Sequence, residues 1–352
     1  MCGISGLICN SFSKEKFEFT VREMGDVLHH RGPDDWGEFI TNSFAFGHNR
    51  LSIIDIFGGS QPMTDKNEQY TIIYNGEIYN NKKLRSILIK EGLKFSTENS
   101  DTETILLLFK SFGIQSFSML EGMFAFAIFD SKKNKIFIAR DVIGIKPLYY
   151  FSDKEKFIFA SEIKAILGSK LIQPILNEEV LPDYFFNRAV TKENTLFKGI
   201  KKLLPGKYVA IDLNDLSFSI RSFSHIKDNK IKQKSYNSNV FDKVLKDQVQ
   251  KHMEADVPVG IALSGGVDSS LLTHYASLIN TKISTFSIGS NSKYDESKWS
   301  NLISKKYKTK HSLINISSED LISSFNDWMF FNDDPIGDPS ALAFFNLSKE
   351  VQ

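Results

Sequence analysis

The residue with the clearest chemical potential is Cys2, directly after the initiator methionine in the opening stretch MCGISG. Chain termini usually fray, so a thiol at this position is either incidental or a nucleophile. Removal of Met1 would leave an α-amino group, with an ordinary pKa of about 8, on the same residue as the thiol. Such an amine can accept the proton of its own nucleophile without help from a histidine. Cys2 is therefore a candidate catalytic residue.

A second candidate site is the stretch LSGGVDSS, from Leu263 to Ser270. It follows the apolar run VPVGIAL, which looks buried, and precedes a helical pattern, the position where open α/β sheets bind nucleotides. Gly265 and Gly266 let the backbone approach a ligand closely, and a helix N-terminus favours phosphate. No Lys-Ser/Thr pair follows the glycines, so this is not a Walker loop. The plain alternative is a Gly-Gly turn whose Ser and Asp residues cap a helix.

An acidic residue inside this loop points to a metal ion. Asp268 would repel bare phosphates unless a Mg²⁺ lies between them. Three serines add hydroxyl groups around the same turn: Ser264, Ser269 and Ser270. The loop therefore predicts a nucleotide site with Asp268 as a magnesium ligand.

The elements around these candidates form two patterns. Through residue 224, short apolar stretches separated by turn residues predict strands, interrupted by two helices, NKKLRSILIKEG and SDTETILLLFKSFG. The second helix begins with a predicted capping box of Ser100 and Glu103. Strands mixed with a few helices favour two sheets with helices packed outside them. We expect a first domain over 1–224.

From about Val240 the rhythm changes to strands alternating with helices, beginning with a predicted helix from Asn239 to about Glu254. This alternation is typical of a parallel, doubly wound α/β sheet, which we expect over 239–352. The Lys-, Asn- and Ser-rich stretch over 225–238 is interpreted as a solvated linker rather than a binding patch.

Composition excludes several classes of protein. The chain has 352 residues, 41% of them hydrophobic, and a formal net charge of +1, so neither nucleic acid nor a membrane is an expected partner. No apolar run approaches the roughly 18 residues of a membrane span. With only Cys2 and Cys9, a cytoplasmic location is expected and Cys9 is interpreted as an inert core thiol. The spacing of His29, His30 and His48 suggests no metal site.

The glycine loop resembles a known family. SGGVDSS is similar to the pyrophosphate-loop motif of enzymes that cleave ATP between its α and β phosphates to adenylate a carboxylate. DVPVGIAL before it, with TFSIGS and YDESKW after it, resembles the synthetase domain of glutamine-dependent asparagine synthetases. The resemblance implies that Leu263 and Ile288 contact the adenosine through backbone groups. The complete implied ATP site is Leu263, Ser264, Gly265, Gly266, Asp268, Ser269, Ser270 and Ile288, with Mg²⁺ at Asp268.

The first domain resembles the class II glutamine amidotransferases, which are N-terminal nucleophile hydrolases. The Cys-Gly-Ile opening, HHRGPDDWG, GHNRLSIID, YNGEIYN, SDTETIL, RDVIGIKPLYY, FASEIKAIL and LPGKY fall in the family's order. They cover the domain nearly end to end. The resemblance implies an α+β sandwich of the αββα type, followed by a Rossmann-like parallel sheet. It also implies that the protein uses no redox or organic cofactor.

The resemblance also implies how the first site works. The Cys2 thiolate would attack the side-chain amide of glutamine, and the Asn75 amide with the Gly76 N–H would stabilise the oxyanion. Arg50 suits the α-carboxylate of glutamine, while Glu77 and Asp101 suit its α-ammonium. The complete implied glutamine site is Arg50, Leu51, Ile54, Asn75, Gly76, Glu77 and Asp101. Each has a plain alternative: a turn for Asn-Gly, a first-turn acid for Asp101, a surface charge for Arg50. The stretch from Arg31 to Asp35 is interpreted as loop support.

The synthetase half departs from the family pattern. The family continues with a strand and an acidic loop of the form Gly-Glu-Gly-x-Asp-Glu, which this sequence lacks before its last residue, Gln352. We count three of five expected parallel strands, so VPVGIAL would become an exposed edge. We therefore expect an incomplete domain, with three alternatives. A second chain, such as a homodimer partner, completes the sheet, or the sequence is a fragment, or the C-terminal third is a poorly stable remnant.

The leading functional hypothesis is glutamine-dependent asparagine synthesis from glutamine, aspartate and ATP. One alternative keeps the amidotransferase but changes the acceptor to a sugar or peptide carboxylate. Another is a chain that hydrolyses glutamine, or binds its ligands, without net synthesis.

Overall fold

A computed structural model describes residues 1–56, 58–223, 237–290, 295–334 and 336–351. The chain divides into two compact units, 1–227 and 228–352. The linker predicted over 225–238 lies outside the described residues except for its last two.

The first unit contains twelve strands and five α-helices among its described residues. In chain order they are β1 (Gly3–Cys9), α1 (Lys14–Leu28), β2 (Asp35–Ile40), β3 (Phe44–Arg50), β4 (Met63–Thr64), β5 (Tyr70–Ile78), α2 (Asn81–Lys90), α3 (Asp101–Phe112), β6 (Gly122–Asp130), β7 (Lys135–Arg140), β8 (Tyr149–Ser152), β9 (Lys156–Ala160), α4 (Ile163–Gly168), α5 (Leu181–Asn187), β10 (Ile200–Lys202), β11 (Lys207–Asp212) and β12 (Phe218–Ser222). Short 3₁₀ turns cover His29–Arg31, Gly113–Met119 and Glu178–Val180.

These strands form two six-stranded sheets, with orders β10-β8-β9-β1-β3-β2 and β12-β11-β7-β6-β5-β4. Strand pairs within both sheets are antiparallel, for example β1 with β3 and β5 with β6. Because side chains alternate along a strand, β1 sends Ile4 and Ile8 to one apolar cluster and Leu7 and Cys9 to another. The nucleophile candidate lies just before this buried central strand.

The first unit has four layers, in the order helices, sheet, sheet, helices, and an apolar cluster fills each of the three spaces between them. The cluster between the sheets joins residues such as Phe46 of β3 to Ile73 of β5. A second packs α1 and α4 against the outer face of the first sheet, and a third packs α2 and α3 against the second sheet. The predicted αββα sandwich is confirmed.

Two details of the helices differ from the sequence expectations. The N–H of Glu103 donates to the Ser100 side chain, as predicted, but the Glu103 carboxylate accepts from Ser96 and Thr97 N–H groups at 2.6 and 2.8 Å. The predicted second bond of the capping box, from the Ser100 N–H to the Glu103 carboxylate, is therefore wrong. The loop before the helix offers the carboxylate better-placed donors. Helix α1 was not among the two predicted helices of this domain, although its apolar residues have helical spacing.

The second unit alternates helices and strands. Its elements are α6 (Ser238–His252), β13 (Gly260–Ala262), α7 (Val267–Ile279), β14 (Ser284–Gly289), α8 (Ser297–Tyr307), β15 (Lys310–Asn315), α9 (Ser318–Ser323), α10 (Phe325–Phe331) and α11 (Ser340–Val351). The strands pair in parallel in the order β13-β14-β15. The predicted parallel sheet is confirmed.

One strand of this sheet is less regular than its sequence suggested. VPVGIAL looked like a buried strand, but β13 covers only three residues, and Gly260 and Ala262 are exposed. Among the described strands it pairs with β14 alone, so one of its edges carries no ladder hydrogen bonds. None of the described helices is long and apolar enough to cross a membrane.

Candidate active site

The predicted glutamine-site residues come together in the first unit. Cys2 precedes β1, Arg50 ends β3, Asn75 lies within β5 and Asp101 begins α3. All the residues predicted for this site line one pocket of about 70 Å³, and Met1 also lines it. The lining members are Cys2, Arg50, Leu51, Ile54, Asn75, Gly76, Glu77 and Asp101.

The thiol is held against the segment that follows β3. The Leu51 N–H donates to the Cys2 Sγ at 3.4 Å, and the thiol lies 3.6 Å from the Leu51 carbonyl oxygen. Cys2 is half-buried, whereas Cys9 is buried in the helix-facing side of β1, as expected for a core thiol. The two free cysteines therefore occupy different environments, and only Cys2 faces the pocket.

Two groups suited to an oxyanion stand beside the thiol. Asn75 is 1% exposed, and its Nδ2 is a buried donor without a hydrogen-bond partner among the described residues. A buried, unpaired amide is costly unless a ligand uses it. Gly76 follows it, and a Cβ there would lie 2.3 Å from the Met123 carbonyl oxygen. The close packing of β5 against β6 therefore requires glycine at this position.

Asp101 is a buried acid at the start of α3. Its Oδ2 accepts the Tyr74 hydroxyl at 2.8 Å and the Ile78 N–H at 3.1 Å. Burial raises the pKa of Asp101 to about 6, although these hydrogen bonds act in the opposite direction. The carboxylate can therefore be charged at neutral pH and available to a cation in the pocket.

Arg50 is buried and already makes local contacts. Its two terminal nitrogens donate to the carbonyl oxygens of Ile56 at 3.0 Å and Asp55 at 2.7 Å. These bonds hold the guanidinium in a fixed orientation while one face still lines the pocket with Gly59. An oriented guanidinium suits a carboxylate ligand, because less side-chain freedom is lost on binding.

Several pocket residues were not predicted. Lys146 is 4% exposed, and burial followed by the nearby Arg31 lowers its pKa. Gln61 bridges two elements, accepting from the Tyr74 N–H at 2.6 Å and donating to the Thr102 hydroxyl at 3.3 Å. Lys146 lies in the motif RDVIGIKPLYY, so its position in that motif and its charge could have indicated a role in the site. Nothing in the sequence around Gln61 indicates such a role. The other unpredicted lining residues are Ile53, Gly59, Tyr74, Ser100, Thr102 and Met123.

A buried ion-pair cluster lies behind Cys2. The Arg31 Nε donates to the Cys2 carbonyl oxygen at 3.0 Å, and its Nη1 donates to Glu162 at 2.7 Å. His30 and Lys164 also contact the Glu162 carboxylate. The hydrogen bond from His30 and the charges of Arg31 and Lys164 lower the pKa of Glu162 to about 2 against the opposing effect of burial. The interpretation of Arg31 as support for the site agrees with these contacts.

His48 connects the two sheets next to the site. Its Nε2 lies 3.1 Å from the Tyr74 carbonyl oxygen, so the ring donates from β3 to β5, one residue before Asn75. The side chain is fully buried, and burial lowers the pKa of His48 to about 4. The imidazole is therefore neutral over the physiological range and acts as a structural donor.

The glycine loop of the second unit has the geometry of a strand–loop–helix phosphate site. Gly265 adopts φ +83°, and a Cβ there would lie 2.5 Å from the Trp299 Cβ, so only glycine fits. Gly266 is the N-cap of α7. The hydroxyls of Ser264 and Ser269 lie 3.0 Å apart across the turn, and the Ser264 hydroxyl accepts the Gly266 N–H at 3.3 Å.

The remaining predicted ATP-site residues lie at the same edge of the sheet. Leu263 follows β13 and is buried, and its carbonyl accepts the Ser287 hydroxyl, one residue before Ile288 in β14. Asp268 is exposed in the first turn of α7, and Ser270 follows it in the same helix. No cluster of three metal-ligating side chains occurs in the described part of the chain. A lone carboxylate suits Mg²⁺ that takes its other ligands from phosphates and water.

Comparison with known proteins assigns both units. A family model described as a glutamine amidotransferase domain matches residues 1–223, and one described as asparagine synthase matches residues 240–352. A Methanocaldococcus jannaschii protein named "Putative asparagine synthetase (glutamine-hydrolyzing) 2" is 35% identical over 376 residues, covering 99% of this chain and 71% of that protein. Asparagine synthetase (glutamine-hydrolyzing) 1 of Bacillus subtilis is 34% identical over 364 residues, covering 100% of this chain. The chain spans 56% of that Bacillus protein's length.

Among solved structures, the chain is similar to the glutamine phosphoribosylpyrophosphate amidotransferase of Bacillus subtilis, with a TM-score of 0.47 and 17% identity. That similarity covers 89% of this chain and 65% of the solved one.

Proposed function

We propose that this chain, which belongs to the family of glutamine-hydrolysing asparagine synthetases, hydrolyses glutamine at Cys2 and directs the ammonia to an ATP-activated aspartate. The single observation that carries the first half is the unpaired, buried Nδ2 of Asn75 in the pocket of Cys2. A donor left unpaired at such a place is accounted for by an oxyanion that forms during reaction.

The proposed hydrolysis begins with removal of Met1, which leaves the α-amine on Cys2. Burial lowers the pKa of the α-amine of Met1 to about 6, and the amine that processing would leave on Cys2 belongs to a residue that lines the same pocket. The amine takes the thiol proton, and the thiolate attacks the glutamine side-chain carbonyl. The oxyanion accepts hydrogen bonds from Asn75 and the Gly76 N–H as it forms.

Collapse of this tetrahedral intermediate transfers the proton to the leaving amide nitrogen and releases ammonia. Water then hydrolyses the γ-glutamyl thioester and frees the thiol. Arg50 is proposed to bind the α-carboxylate of glutamine, and Asp101 with Glu77 its α-ammonium. The fixed guanidinium of Arg50 and the buried Asp101 support these assignments.

The proposed second reaction uses the glycine loop of the other unit. The aspartate side-chain carboxylate attacks the α-phosphorus of ATP, pyrophosphate leaves, and ammonia then displaces AMP to give asparagine. The N-terminus of α7 and the serine hydroxyls would hold the phosphates, with Asp268 holding Mg²⁺. When bound, Mg²⁺ neutralises phosphate charge. Family membership and the left-handed backbone of Gly265, which brings the loop to the start of α7, support this proposal.

The setting of these reactions is also part of the proposal. Two free thiols support a cytoplasmic location. The edge of β13 without ladder bonds among the described strands supports completion of the sheet by a further strand, from a second chain or from more of the same polypeptide.

The test of the first half is glutamate release from glutamine by the purified chain, with removal of Met1 checked by mass. Cys2→Ala should abolish release. Cys9→Ala is the matched control and should retain it, because Cys9 faces the helix layer. Full activity in Cys2→Ala would refute the mechanism.

The test of the second half is formation of AMP and pyrophosphate from ATP when aspartate is added. Glutamine hydrolysis without synthesis is the second candidate function, supported by the assembly of the predicted glutamine site within the first unit alone. Glutamate release without AMP, for aspartate and for sugar or peptide carboxylates alike, would favour that second candidate. AMP formation with another carboxylate but not with aspartate would change the acceptor.

A further inference from the structure

The ion-pair cluster behind Cys2 connects the end of one strand to the start of another. Glu162 follows β9 and precedes α4, and its carboxylate accepts from Arg31 at 2.7 Å and from His30 at 3.1 Å. The Arg31 side chain is 7% exposed and that of Glu162 is 11% exposed. Because Arg31 also donates to the Cys2 carbonyl oxygen at 3.0 Å, a continuous set of contacts runs from Glu162 to the nucleophile's main chain.

This set of contacts continues where the strand ladder stops. The last β1–β9 pair is Ser5 with Ala160, and Ser161 then exchanges two bonds of 2.9 Å with Ile4. Cys2 lies two residues before Ile4, past the last of these bonds between β1 and the segment that follows β9. The Arg31 side chain, from the 3₁₀ turn after α1, donates to the Cys2 carbonyl oxygen there.

Glu162 controls the orientation of Arg31. The second terminal nitrogen of Arg31 is buried without a hydrogen-bond partner among the described residues. Its Nη1 contact with Glu162 and its Nε contact with Cys2 are thus the bonds that set the guanidinium plane. Loss of the carboxylate would leave a buried cation without its counter-charge, and it would turn or draw in water.

Neither partner reaches the substrate pocket. Arg31 and Glu162 are both absent from the lining of the cavity that contains Cys2, Asn75 and Asp101. Glu162 therefore makes no direct contact in this cavity, and a change there acts on bound glutamine through Arg31. This separates an effect on chemistry from an effect on binding.

We propose that Glu162 is a positioning residue, which holds Arg31 and through it the main chain of Cys2 in register with Asn75. This inference rests on the proposed glutamine hydrolysis. Misplacement of a reacting group by about 1 Å can cost about a hundredfold in rate. Glu162→Gln, which keeps the shape and removes the charge, should lower kcat about ten- to a hundredfold while KM changes less than about twofold.

The matched control is Asp65→Asn in the same unit. Asp65 has a fully buried side chain paired with Lys110 at 2.8 Å, and it does not line the pocket. This variant therefore loses an ion pair whose carboxylate is buried and whose Lys110 partner is 26% exposed, and its kcat should equal that of the wild type. Equal kcat in Glu162→Gln and wild type, or an equal fall in Asp65→Asn, would overturn the inference.

A second measurement does not depend on activity. Hydrogen–deuterium exchange of the peptide covering 2–8 should be faster in Glu162→Gln than in the wild type or Asp65→Asn. If the wild type fails to hydrolyse glutamine but this exchange difference is present, the proposed function falls and the positioning role stands. Unchanged exchange overturns the positioning role whatever the activity.

Conservative variants complete the test. Glu162→Asp keeps the charge at shorter reach and should recover part of the kcat lost in Glu162→Gln. Should Glu162→Gln fail to fold, Glu162→Asp decides: lowered kcat at unchanged KM supports the inference, and wild-type kcat overturns it. Arg31→Lys combined with Glu162→Gln should lose no more than Arg31→Lys alone, since both act through one contact.

Discussion

Acidification from pH 8 to pH 5 should destabilise the first unit through His48. The folded protein keeps this buried imidazole neutral, because burial lowers its pKa from 6.5 to about 4. The unfolded chain takes up a proton on His48 near pH 6.5, so it binds more protons than the folded chain as pH falls. The stabilisation due to His48 is therefore complete above pH 6.5 and is lost as pH falls towards 4.

The size of the effect follows from the two pKa values. A fall from 6.5 to about 4, at about 1.4 kcal/mol per pH unit, limits the loss to about 3 kcal/mol. By pH 5 the linkage relation already predicts a loss of about 2 kcal/mol. Asp101 acts in the opposite direction, since its raised pKa of about 6 means that protonation stabilises the folded state as pH falls. The wild-type pH profile alone would mix the two effects.

A comparison with His48→Gln separates them. The variant keeps an amide donor for the Tyr74 carbonyl and lacks the titrating ring, so the Asp101 contribution cancels in the difference. We expect the wild type to lose about 2 kcal/mol relative to the variant between pH 8 and pH 5.

The assay is urea unfolding followed by tryptophan fluorescence. The chain has three tryptophans, and replacing Trp299 and Trp328 by Phe leaves Trp36 of the first unit as the only fluorescent reporter. A stability difference between the His48 forms that is the same at pH 8 and pH 5 would refute the reasoning. A difference that grows in favour of the wild type would refute its sign.

The remaining predictions concern both sites. The KM for glutamine should rise about fivefold as pH falls from 6 to 5, because protonated Asp101 cannot pair with an ammonium. Asp101→Asn should have a high KM without this rise, and a flat wild-type KM would contradict the assignment. Asn75→Ala should lower kcat for glutamine hydrolysis about 10²- to 10³-fold at an unchanged melting temperature, and a loss below tenfold would exclude an oxyanion role. Gly265→Ala should destabilise the second unit by at least about 1 kcal/mol, seen as earlier urea unfolding by Trp299 fluorescence, because of its φ of +83° and the Cβ contact of 2.5 Å. Gly266→Ala, whose new Cβ meets only the Ser264 hydroxyl at 3.3 Å, is the control and should unfold later than Gly265→Ala.

Local pattern was enough for most of the architecture. The alternation of apolar residues along β1 and β5 and the helical spacing of α3 are properties of a few consecutive residues, so they can be read without a structure. The residues of α1 have the same helical spacing, so this helix too is a local property of the sequence. The three-residue β13 could not be anticipated, since strand length depends on the neighbours that supply ladder bonds rather than on the strand's own residues.

Only some residues of the candidate site could be predicted from local sequence. Cys2, Asn75 and Arg50 lie in motifs whose order along the chain resembles a known family. Glu162 lies in such a motif too, but nothing local indicates that its carboxylate meets Arg31, a residue 131 positions earlier. Gln61 had no signal at all, because its role is to join elements that only packing brings together.

By itself the sequence determined which chemical groups are present and which segments are strands or helices, because side-chain chemistry and periodicity are local properties. The tertiary structure decided which of those groups meet and how they ionise. Burial keeps His48 neutral and raises the pKa of Asp101 to about 6, while contacts with His30, Arg31 and Lys164 keep Glu162 charged. These effects depend on desolvation and on charges from distant parts of the chain, which no stretch of sequence contains.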